Sequence, residues 1–272
     1  MRSTLLLPTS LTRRISYTLL LFTSVACVSI PGTDDRAFNL ISRGEEKKMG
    51  EDAYKEIKAK EKISHNQRWT AMLQRVGKRI SKVAPVDDFE WEFTLIESKD
   101  MNAFCLPGGK VAFYTGILPV LENEAAMAIV MGHEVAHAVA RHGVQRMSQG
   151  MVAQGILAGT GFALGDNKYR NLILGGLGVG AQVGVMLPFS RSHETQADDM
   201  GLDYAAAAGY DPAEGSRFWQ RFSKATGAGG KPPSFLSTHP SDSSRIENLK
   251  RLQQRADKLY DKSPQYGLGE TI

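Results

Sequence analysis

The run His133-Glu134-Val135-Ala136-His137 brings two imidazoles and a carboxylate within little more than one helical turn. Residues four apart project from the same face of a helix, so both rings can chelate one divalent cation such as Zn²⁺. Glu134 then stands where it can handle a metal-bound water, a combination that suits hydrolysis. Two histidines do not close a catalytic zinc site, which takes three protein ligands and leaves one position open. The candidates for the third are His142, His193, His239, Glu194, Asp198 and Asp199. His142 lies nine residues beyond His133, about 180° around a continuing helix, and is expected to point away from the metal. Glu194 and Asp198 are four apart, which allows Glu194 to ligate while Asp198 accepts a hydrogen bond from a ligand histidine. The same two residues would equally suit a solvated helix face, so spacing alone leaves the choice open.

These groups need a frame. The pentapeptide follows Glu124-Ala-Ala-Met-Ala-Ile-Val-Met-Gly and precedes Ala-Val-Ala-Arg, all compatible with a helix buried on one side. Upstream, Ile41 to Lys62 and Trp69 to Val83 each carry an apolar stripe at helical spacing, the second ending before Pro85. Phe89 to Ile96 alternates with period two, and Ala103–Leu106 and Lys110–Tyr114 flank a Pro107-Gly108-Gly109 turn, so a small sheet precedes the His-Glu helix. Downstream, 151–164 and 172–187 read as a helical hairpin turned at Gly165-Asp166-Asn167. Its apolar run over 172–189 is short and glycine-rich, and burial is expected rather than membrane insertion. Helices are expected over His193 to Ala208, from Asp211-Pro212, and after Ser241-Asp242, around a Gly/Pro/Lys loop at Thr226 to Pro233. The fold class is α+β and mainly helical, with a small sheet beside the active-site helix.

The 272 residues are enough for one large domain. The formal charge of +4 belongs mostly to the leader: without Arg2, Arg13 and Arg14 the balance is 30 basic to 29 acidic residues. A nearly neutral domain lacks the clustered positive charge of a nucleic-acid binder, and no nucleic-acid partner is expected. Arg13-Arg14 followed by a short apolar stretch has the character of a targeting segment. Ser24-Val25-Ala26-Cys27 resembles the lipobox of bacterial lipoproteins, with Ser24 where an aliphatic residue is usual. Cys27 is thus expected to be lipidated, which leaves Cys105 without an intrachain partner and makes it a buried, inert thiol. The expected organisation is a signal segment over 1–27, a linker over 28–40, the domain over 41–262 and a tail over 263–272.

Taken together, three segments resemble the gluzincin metallopeptidases of peptidase family M48. They are His133 to Gly143, then Pro188-Phe-Ser-Arg-Ser-His-Glu194-Thr-Gln-Ala-Asp198, then Ala208-Gly-Tyr-Asp-Pro212. The resemblance covers residues 40–255. It implies a gluzincin-type domain, one Zn²⁺ held by His133, His137 and Glu194, Glu134 as general base and acid, and Asp198 orienting a ligand histidine. Gln196 stands where the family often has a second Glu. Asn102-Ala103-Phe104 and the residues after them resemble the family's strand that pairs with an extended substrate. Thr238-His239-Pro240 with Arg245 matches a C-terminal signature lying near the metal. The prenyl-protein members carry several membrane spans that this chain lacks, which favours the soluble or lipid-anchored quality-control branch.

The expected function is a zinc-dependent endopeptidase acting on unfolded or misassembled envelope proteins in a bacterial periplasm, anchored at Cys27. His239 or Arg245 would help stabilise an oxyanion. Alternatively, Arg245 would simply pair with acids, and His239 would occupy the open zinc position and hold the enzyme idle until the 226–233 loop moves. The alternative from another class is a chaperone or assembly factor whose zinc site is mostly closed.

Overall fold

The computed structural model describes residues 27–153, 189–227, 233–239 and 243–272. The expected signal segment up to residue 26 and nearly all of the expected 151–187 hairpin lie outside the described residues. Residues 28–40, expected as a linker, hold most of an antiparallel hairpin of β1 (Cys27–Ser29) and β2 (Arg36–Phe38). Helix α1 (Arg43–Lys60) opens on a capping box, in which the Ser42 side chain accepts from the Glu45 backbone N–H and Glu45 reaches back to Ser42. Helix α2 (Gln67–Val83) is N-capped by the Asn66 side chain, which accepts from Trp69 N.

Strands β3 (Glu92–Ile96), β4 (Ala103–Leu106) and β5 (Lys110–Tyr114) form one sheet in the order β3-β5-β4. β4 and β5 are the expected hairpin, turned by Gly108 and Gly109 at φ 82° and 83°, a backbone region that side chains disfavour. β3 joins β5 in parallel, which leaves β4 as an edge among the described residues. Period-two alternation sends the strand residues into two cores. Phe93, Leu95, Cys105, Val111 and Phe113 face the cluster that holds Met72, Leu73 and Val76 of α2. Ile96, Phe104, Leu106, Ala112 and Tyr114 face Met49, Ala53 and Tyr54 of α1. The Val, Leu, Ile, Phe and Met side chains among them each contribute about 1.5–3 kcal/mol when fully buried.

Helix α3 (Glu124–Val139) is buried along its whole length and joins the first of these cores. Its N-terminus is capped by Asn123, whose Oδ1 accepts from Ala126 N at 2.8 Å. The helix does not continue through Arg141, which adopts a left-handed φ of 60°. The buried Arg141 guanidinium holds that conformation by donating to Glu46 at 2.5 Å and to the Ile41 carbonyl at 2.8 Å. The chain restarts as α4 (His142–Ala153), which packs Val144, Met147 and Met151 into the second core. Beyond it lie α5 (Arg191–Ala207), α6 (Glu214–Thr226), the short α7 (Ser234–Thr238) and α8 (Ser243–Tyr260).

α3 and α5 meet at two glycines. A Cβ on Gly132 would lie 2.4 Å from the Gly201 carbonyl oxygen, and one on Gly201 would lie 2.6 Å from His133 N. No larger residue permits that approach. The C-terminal tail closes back on the start of α3, where Glu124 N donates to Glu270 O and Ile272 N to Glu122 O, and on the end of α5, where Tyr266 N donates to Gly209 O. No helix among the described residues is long and apolar enough to cross a membrane.

Candidate metal centre

Four buried donors converge from three elements: His133 and His137 on α3, Glu194 on α5, and His239 just after α7. The α3 register puts both rings on one face, and their Nε2 atoms stand 3.0 Å apart. The close α3–α5 approach brings Glu194 alongside, its two carboxylate oxygens each 3.4 Å from one of those nitrogens. His239 Nδ1 lies 3.3 Å from His133 Nε2 and 3.1 Å from Glu194 Oε1. His239 is held there by helix contacts: its backbone N–H donates to Phe235 O, and the Phe235 ring lies 4.6 Å from the imidazole. Glu134, on the turn between the two histidines, is buried, and its Oε1 finds no hydrogen-bond donor among the described residues; His239 Nε2 stands off at 3.5 Å.

Around these donors lies a ring of supporting charges. Asp198, one turn beyond Glu194, places Oδ1 3.0 Å from His133 Nδ1. Arg245 from α8 donates to both Asp198 oxygens at 2.7 Å and pairs with Glu194 Oε2 at 2.6 Å. Its guanidinium stacks on Trp219 at 3.8 Å. Burial alone would raise the Glu194 carboxyl, but Arg245 and His239 override it and hold that group well below the usual range. Burial pushes Glu134 up, against the pull of His239 and His133. Burial and Arg245 act to lower His133, yet hydrogen bonds to Asp198 and Glu194 raise it to about 9.

The donor set fits a metal ion. Ligands about 2 Å from a tetrahedral zinc stand about 3.3 Å from one another, the spacing seen here. Two imidazoles and a carboxylate match the borderline softness of zinc.

Of the residues singled out in the sequence, His133, His137, Glu194 and His239 come together, with Glu134, Asp198 and Arg245 in contact with them. Arg245 directs its charge at Asp198 and Glu194, the pairing with acids that stood as the alternative to an oxyanion role. Asn102, Ala103 and Phe104 lie at the start of the edge strand β4, which packs on α3. Asn102 O accepts from Tyr114 N, and the neighbouring Met101 O accepts from Phe235 N, so α7 is tethered at the entry to that strand. Cys105 on β4 is buried, and burial and Glu134 push its thiol well above the ordinary value. The side chain of Cys27 lies outside the described residues.

His142 corrects an expectation. It points back rather than away, with Nδ1 2.9 Å from His137 Nδ1. The left-handed Arg141 interrupts the helix and resets the angular count on which the expectation rested. Its ring stacks on His193 at 4.3 Å, and its Nε2 meets Gln196 Oε1 at 2.8 Å. The sequence signal for that contact was two histidines separated by a helix break, legible only with the break in view.

The model of peptidase family M48 matches residues 67–253. The chain is 36% identical over 225 residues to the mitochondrial metalloendopeptidase OMA1 of Schizosaccharomyces pombe, covering 81% of this chain and 64% of that protein. It is 33% identical to the Saccharomyces cerevisiae protein of the same name, over 68% of this chain and 53% of the relative. With the beta-barrel assembly-enhancing protease of Escherichia coli it shares 25% identity over 82% of this chain and 46% of the relative. The chain thus spans less than two thirds of each of these relatives.

Proposed function

This chain belongs to peptidase family M48, and from that premise and the four-donor cluster we propose that it is a zinc-dependent endopeptidase. The single observation that carries the reading is Glu134, a buried carboxylate beside the converged donors with an unsatisfied oxygen. A purely structural metal site needs ligands but no such base. Zinc, when bound by His133, His137 and Glu194, supplies a Lewis acid that polarises a carbonyl and makes water more acidic. Glu134 takes the proton of the attacking water and passes it to the departing amine. Asp198 holds the His133 ring through Nδ1, and Arg245 fixes both Asp198 and Glu194. The edge strand β4 offers backbone groups to an extended peptide, which suits an unfolded protein as substrate.

His239 stands as a fourth donor, which supports a reading in which it occupies the open position and holds the site idle. The finer reading is action on unfolded or misassembled envelope proteins from the periplasmic side, with Cys27 as lipid anchor. It rests on the signal-like start of the sequence, and a Cys27→Ser variant that still sediments with membranes overturns the anchor. The test of the activity is to incubate the purified protein with an unfolded outer-membrane protein, with and without chelator, and to sequence the products. Chelator-sensitive internal cleavage is expected, and an intact substrate under both conditions overturns the proposal.

The fourth donor also favours a second reading, because four-coordinate zinc sites are generally structural. A chaperone or assembly factor would then suppress aggregation of the same substrate in the Glu134→Gln form, without any cleavage by the wild type.

A further inference from the structure

A chain of hydrogen bonds runs from the candidate metal ligand His137 to the surface of the N-terminal hairpin. His137 Nδ1 lies 2.9 Å from His142 Nδ1, and His142 Nε2 lies 2.8 Å from Gln196 Oε1. Gln196 Nε2 lies 2.6 Å from Asp35 Oδ2. Asp35 is itself held in the β1–β2 turn, its carbonyl accepting from Ile30 N and its N–H donating to Thr33 Oγ1.

Proton positions along this chain are determined from both ends. A carboxylate only accepts, so Gln196 must present its NH₂ to Asp35 and its carbonyl oxygen to His142. That oxygen also only accepts, so His142 carries its proton on Nε2 and turns the lone pair of Nδ1 towards His137. From the other end, His137 aims Nε2 at the remaining donors, and ligation there requires a lone pair on Nε2 and a proton on Nδ1. That proton meets the lone pair of His142. The stack of His142 on His193, with planes 17° apart, keeps the intermediate ring in line.

We propose that Asp35, Gln196 and His142 are positioning residues that lock His137 in the tautomer able to ligate through Nε2. The N-terminal hairpin thereby helps set the metal affinity of the site. The proposal rests on the zinc-site reading above. It predicts more than a supporting role for His142 alone: the amide orientation of a half-exposed glutamine, chosen by an exposed aspartate, governs a buried ligand.

The test is the zinc dissociation constant of the full chain, measured by competition with a chromophoric chelator, in wild type and in Gln196→Met, Gln196→Glu and Asp35→Ala. Gln196→Met keeps the side-chain length but removes the acceptor, and zinc binding should weaken about 10-fold or more. Gln196→Glu keeps an acceptor towards His142 but sets a second carboxylate against Asp35, so it should bind zinc more tightly than Gln196→Met. Asp35→Ala frees the amide to turn over and should fall between the two. Imidazole ¹⁵N spectra of the wild-type zinc form should show His142 protonated on Nε2, a signature that a merely structural role would not set. Melting temperatures of the metal-free variants separate loss of folding from loss of affinity. Equal zinc affinity of Gln196→Met and wild type, or His142 protonated on Nδ1, overturns the relay while leaving the metal site standing. A wild type that binds no zinc overturns the site reading itself.

Discussion

Glu134 and His239 make opposite demands on the same small space, and single substitutions separate them. Glu134→Gln preserves shape but removes the base, so turnover of an unfolded protein should fall about 10²–10⁴-fold while one zinc per chain is retained. Zinc content by mass spectrometry and cleavage rate on one preparation check this. His239→Ala removes the fourth donor that holds the site idle, so kcat/KM should rise in a peptide-cleavage assay; a fall overturns that role. At this scale much was legible in advance, because His133, Glu134 and His137 sit on one unbroken helix and Glu194 and Asp198 on another. His142 was not, since a single left-handed residue, Arg141, invalidates angular counting across it. The Gln196–Asp35 contact was equally hidden: it joins positions 161 apart through two short polar side chains that have no pattern.

Helix placement sets whether those residues meet. Glu194 reaches the histidines because α3 and α5 touch backbone to backbone at Gly132 and Gly201, where a Cβ on Gly201 would come within 2.6 Å of His133 N. Gly201→Ala should therefore cost about 1–3 kcal/mol by overpacking and also weaken zinc binding as Glu194 is pushed out of reach. Denaturant titration of the metal-free protein and a zinc competition assay measure the two effects separately. The N-terminus of α3 has its own support: the Asn123 cap donates from Nδ2 to Glu214 Oε2 at 3.2 Å, and Arg221 pairs with the same oxygen at 2.9 Å. Burial would raise the Glu214 carboxyl, but bonds from Arg221, Asn123 and Arg217 hold it below the ordinary value. A lowered folded value means the ionised form is favoured by folding. That stability is present above the ordinary glutamate pKa of about 4.3 and is lost as pH falls through the folded value. Melting curves between neutral and acid pH should show a smaller acid loss in Glu214→Gln than in wild type. The strands were legible from their alternation and the Pro107-Gly108-Gly109 turn. Their order was not, because nothing local to β3 states that it pairs in parallel with β5, past its neighbour in sequence.

Over the whole molecule, the metal site ties together parts of the chain that local structure does not. A cation that binds only the folded state at a thousand times its dissociation constant stabilises it by about 4 kcal/mol. Chelation should accordingly lower the melting temperature as well as stop cleavage, and restored zinc should return both; unchanged melting would mean that the donors are held without metal. The tail contributes from the far side. Deleting residues 264–272 removes the bonds from Glu270 and Ile272 to the start of α3 and should lower thermal stability, as followed by circular dichroism. The same tail carries a consequence for synthesis. A ribosome releases α3 early, yet Glu194, His239 and the strap at Glu270 emerge only later, the last of them at the end of this sequence. The helix bearing Glu134 is thus left without its closing contacts until Glu270 and Ile272 have been made. Donors that follow in that order give the candidate site its full set only once His239 has been made, so α3 enters the fold before the groups that complete its face.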